Sequence, residues 1–130
     1  MNVIVDNDFM KVEEHEQQRV VVVRRKPAIA GRNLPVDQVT GGYEEILKLF
    51  RRTHQGWGLV LDLRDVPGRN DDPFEARASE LMTQVRQRFA RVVALVATAI
   101  GELQVRRMRQ GNMFTTRDES EAMRLAAGAP

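Results

Sequence analysis

The chain has 130 residues, 42% hydrophobic and 29% charged, which fits one globular domain and excludes a disordered segment. It contains no cysteine, so disulfides and thiolate metal centres are excluded, and the absence leans towards a reducing compartment. The 20 basic and 18 acidic residues leave a net charge of +2, a mixed field rather than a strongly basic one, and 17 of the basic residues are Arg, as a genome with a high-GC coding bias would encode.

The first 26 residues read as strand. Phe9-Met10-Lys11-Val12-Glu13 alternates apolar with polar, as a half-buried strand does. Val20–Val23 is β-branched throughout and too short for a helix, so it reads as a buried central strand. The polar residues Glu14 to Gln18 would turn between the two, giving an antiparallel hairpin, with Asn2–Val5 as an extra edge strand. That turn lacks an Asn-Gly or Asp-Gly pair, so the sequence leaves the register open.

Pro27–Pro35 reads as a connection, with Gly31 and Asn33 as turn formers. Val39, Tyr43, Ile46, Leu47 and Phe50 then recur at helical spacing. Gly41 and Gly42 each cost a helix about 1 kcal/mol relative to Ala, so this helix starts either at Pro35 or after Thr40. Trp57–Leu63 is the next predicted strand, and Val66–Asp71 is a loop containing Pro67-Gly68. Asp72, Pro73 and Glu75 form a helix start, and Phe74, Ala78, Leu81, Met82, Val85 and Phe89 make its apolar face.

Val92–Ala97 is continuously apolar, as a strand covered on both faces is. Ile100–Gln110 predicts a helix stopped by Gly111. Met113–Thr115 is a last short strand. Thr116 and Glu119 are spaced as a capping box for a final helix with Ala122, Leu125 and Ala126 on its inner face. The order is β-β-α-β-α-β-α-β-α: an α/β domain with a mixed, mostly parallel sheet and an N-terminal antiparallel hairpin.

Several residue runs carry a family resemblance. Leu59-Val60-Leu61-Asp62-Leu63 looks like a central strand ending in an Asp-Leu pair. Arg91–Val96 followed by Thr98–Leu103, and Phe114-Thr115-Thr116 leading into Asp118–Ala122, continue the match. Over roughly residues 9–127 the chain resembles the STAS/SpoIIAA-like superfamily, which includes anti-sigma-factor antagonists and Sec14-like small domains. The resemblance implies one SpoIIAA-like domain over residues 1–130, with its core at about 9–127. It also implies a non-enzymatic regulatory or scaffolding role in binding a protein partner or a second copy. A Sec14-like small-molecule or lipid-binding domain is the alternative. A lipid binder should hold a continuous apolar cavity, whereas a partner module should be solidly packed.

One departure stands out. The antagonists carry an aspartate followed by a phosphorylatable hydroxyl at the helix after the central strand. Here the stretch reads Asn70-Asp71-Asp72-Pro73-Phe74, and the first Ser of that helix is Ser79. The phosphorylation switch is therefore absent, and Asp72 would hold a permanent negative charge in its place.

Asp62, Asp65, Asp71 and Asp72 gather at a strand's carboxyl end, where open α/β sheets place ligands. They could hold Mg²⁺. The preferred reading makes them a helix cap (Asp72), a strand end (Asp62) and solvated loop residues, so no metal or cofactor is expected. The surface expected to meet a partner comprises Asp65, Arg69, Asp71, Asp72, Arg77 and Glu80. Arg86, Arg88, Arg91, Arg106, Arg107 and Arg109 could read phosphate. Yet Arg106 and Arg107 point roughly 100° apart on a helix and no aromatic residue interleaves, which argues against nucleic acid. His15 and His54, the two histidines, are expected in a turn and at a helix end, away from any nucleophile, so no triad is expected. No apolar run approaches the ~20 residues of a membrane span and Met1–Asp6 lacks signal-peptide character, so the expected location is the cytoplasm.

Overall fold

The computed structural model describes residues 1–6, 10–25, 48, 54, 56–65, 80, 83–84, 87–108 and 113–128. The predicted connection at 27–35, nearly all of the predicted first helix, the loop at 66–71 and the start of the helix at Asp72 lie outside the described residues. Lys48, Glu80, Thr83, Gln84, Gln87 and Arg88 are each helical.

Six strands form one sheet in chain order: β1 (Asn2–Asp6), β2 (Met10–His15), β3 (Val20–Arg25), β4 (Gly58–Asp62), β5 (Arg91–Leu95) and β6 (Met113–Thr116). β1, β2 and β3 pair antiparallel, and β3 to β6 pair parallel. The expected hairpin, edge strand and parallel remainder are thus all present. His15 differs from its expected place: it ends β2, opposite Val20, and does not lie in the turn. The turn runs through Glu16–Arg19, where Arg19 takes a left-handed φ of 56° and its N–H donates to the Glu16 carbonyl at 3.2 Å. The sheet register is therefore closed without the glycine that such backbone favours.

Alternation along the strands divides the core in two. Val21, Val23, Leu59, Leu61, Val92 and Ala94 face one layer with Phe89 and with Val105 of helix α1 (Ala99–Met108). Val20, Val22, Val60, Val93 and Leu95 face the other, under Ala122 and Ala126 of helix α2 (Glu119–Ala127). Every parallel step moves to the next strand in one direction. Right-handed crossovers then all fall on one face of the sheet. Phe89 and Val105, from two different crossovers, do share one cluster, and α2, which follows the last strand, takes the opposite face.

The start of α2 corrects one expectation. Its N-cap is Asp118, whose carboxylate accepts the Ser120 N–H at 2.9 Å, and not Thr116. Thr116 is held in β6 opposite Leu95, so its backbone is committed to the sheet, and its hydroxyl accepts the Asp118 N–H at 3.2 Å. Gly128 ends the helix at φ 76°, with its N–H on the carbonyls of the last turn. The helix lies so low on the sheet that a Cβ at Gly58 would overlap the Ala126 carbonyl oxygen and sit 2.6 Å from its carbon. Backbone cannot yield as a side-chain tip can.

Two glycine substitutions separate this close approach from simple backbone strain. Gly56 has φ 85° but open space around its missing Cβ, so Gly56→Ala should cost about 1 kcal/mol from the left-handed backbone alone. Gly58→Ala should cost about 3 kcal/mol or more because α2 must lift. Urea denaturation of both variants checks the order, and Gly58→Ala matching Gly56→Ala would contradict this packing.

Candidate functional site

Charged side chains on the α2 face converge near the carboxyl ends of β3 and β4. Arg24 follows Val20 and Val22 on that face, and its strand partner on β4 is Asp62. Glu13 lies diagonally across on β2, paired with Val22, within reach of a long side chain. Glu119 arrives as the first residue of α2, where a carboxylate favours the helix dipole.

Arg24 joins all three carboxylates. Its Nε donates to Glu13 Oε2 at 2.8 Å, and its Nη1 donates to Asp62 Oδ2 at 2.8 Å and to Glu119 Oε1 at 2.5 Å. Arg64 completes the group. Its Nε and Nη2 grip Asp62 at 3.0 and 2.9 Å, its backbone N–H adds a bond at 3.2 Å, and Nη2 also reaches Glu119 at 3.1 Å. His15 Nε2 lies 3.1 Å from Glu13 Oε1, and Lys11 Nζ lies 4.0 Å from Glu13 Oε2. Three carboxylates, Glu13, Asp62 and Glu119, thus meet three permanent cations, Arg24, Arg64 and Lys11, with His15 beside Glu13.

The electrostatics follow from burial and partners. Burial disfavours charge on Asp62, but hydrogen bonds from Arg64 and Arg24 outweigh it and hold the carboxyl below its usual range. Glu13 behaves alike: burial opposes ionisation, and Arg24 and then His15 reverse it. Burial alone would lower the Arg24 pKa, but its three carboxylates raise it. Hydrogen bonding to Asp62 raises that of Arg64. Carboxylates held this firmly ionised are poor proton carriers at neutral pH. The group joins β2, β3, β4 and α2.

A second polar pair lies on the opposite face of β2. Glu14 Oε2 is 2.7 Å from His54 Nε2, and the buried His54 ring meets Trp57 edge-on, 4.8 Å between centroids. Trp57 packs, partly buried, against the first core layer.

Of the expected surface, Asp65 and the helical Glu80 are exposed, while Arg69, Asp71, Asp72 and Arg77 lie outside the described residues. Asp62 is a strand-end carboxylate bound by arginines. Among the described residues no group of three or more His, Cys, Asp or Glu could hold a metal ion. Arg91 lies on the α2 face, donating to the Ala126 carbonyl at 2.9 Å. Arg106 pairs with Glu102 on α1, which packs on the other face. These two arginines do not share a surface. No helix among the described residues is long and apolar enough to cross a membrane.

Sequence reasoning passed over Glu13, Arg24, Arg64 and Glu119. The available signal was alternation. Val20, Val22 and Arg24 share one face of a strand that opens with four valines, and Glu13 falls at an inward position two residues from Lys11 and His15. Opposite charges at inward sheet positions imply a buried pair.

Replacing Arg24 by Met should destabilise the fold at pH 7 by about 3 kcal/mol, since Glu13 and Asp62 lose a partner while staying largely buried. Both carboxyls have folded pKa values below their unfolded ones, so their contribution is complete above about 4.5 and fades as pH falls through the folded values. The gap between wild type and Arg24→Met should therefore narrow between pH 5 and pH 2, as about those limits span the titration. Chemical denaturation across that range checks it, and a constant gap would contradict the network.

No protein-family model, no curated protein and no solved structure matches this chain.

Proposed function

We propose that this chain is a STAS/SpoIIAA-like regulatory or scaffolding module, without enzymatic activity, that binds a protein partner or a second copy of itself and lacks a phosphorylation switch. The observation that carries the reading is the state of Asp62. At the carboxyl end of β4, where a sheet of this type would place a catalytic or metal-binding carboxylate, both oxygens of Asp62 accept bonds from arginines. The strand-end acid is used to hold the fold together. Recognition then falls to the exposed residues beyond it, Asp65 and, on the helical segment before β5, Glu80. The mixed sheet, antiparallel at its start and parallel after, agrees with the resemblance in its coarse architecture. Within this reading the partner surface extends through Arg69, Asp71, Asp72 and Arg77.

Affinity capture from the native host, with light scattering to detect self-association, tests the proposal. Asp65→Lys combined with Glu80→Lys should lower partner retention, or dimer affinity, at least about tenfold, because like charges brought face to face cost several kcal/mol. The circular dichroism spectrum should be unchanged. Equal retention by wild type and variant, or recovery of phospholipid with no protein partner, would overturn it. Asp72→Asn separates charge from capping. Asn is as good an N-cap as Asp, so stability should hold while partner affinity falls. Unchanged affinity would show that a permanent charge there has no role.

A further inference from the structure

We draw no further inference here: the strongest candidate, the sheet edge at β1 with the exposed side chains of Met1, Val3 and Ile4 beside a bulge between Val3 and Val5, carries nothing because nothing in the structure shows what covers it.

Discussion

The close approach of α2 to the sheet at Gly58 is the constraint on which the second layer depends. Only a residue without a Cβ lets the Ala126 carbonyl rest where it does. The helix answers with its own small residues, since Ala122 and Ala126 are its buried contacts. Larger side chains would raise the helix and open space above Val22, Val60 and Val93. Both ends of the helix are then fixed by arginines of the sheet and of the turn after β4. Arg24 and Arg64 hold Glu119 at the amino end, and Arg91 reaches the Ala126 carbonyl at the other. The orientation of α2 thus follows from one glycine, two alanines and three arginines.

The ion network performs a different task from the apolar contacts. Apolar burial is non-directional and would tolerate a shifted register, whereas a guanidinium fork fixes its partners in a plane. Arg24 bridges an antiparallel neighbour, a parallel neighbour and a helix, so it sits at the junction between the sheet's two halves. The contributions are unequal. Glu119 and Arg64 are exposed by 44% and 38%, so their pairing is screened by solvent and adds little. Glu13 is only 6% exposed and Asp62 9%, so their charges depend on the arginines. The proposed partner surface lies outside this group, whose charges are paired with one another.

Much of the architecture was legible in the sequence. Val20–Val23, Leu59–Leu61 and Val92–Leu95 are short and continuously apolar, the first of them β-branched throughout, and each became a strand buried on both faces. Gly111, expected to stop the helix that begins near Ile100, lies outside the described residues. The reading failed where tertiary pairing outweighs local preference. Thr116 has the residue type and spacing of a cap, but β5 recruits it into the sheet, so Asp118 takes the role. His15 was expected in the turn, yet ladder bonding to Val20 extends β2 through it. The network stayed hidden because its members are far apart in the chain. Arg24 to Asp62 spans 38 positions and Arg24 to Glu119 spans 95. Only strand register brings them together, and register is a property of the folded sheet. Asp62 was noticed as an acid at a strand end, but its arginine partners were not.

The central claim is that Arg24 and the buried Glu13 act as one unit in stabilising the fold. A double-mutant cycle in urea with Arg24→Met, Glu13→Gln and the combined variant measures it directly. We expect a favourable coupling energy of about 1–3 kcal/mol at pH 7, because the two groups share buried hydrogen bonds. A coupling energy near zero, with the two single losses simply adding, would contradict the account.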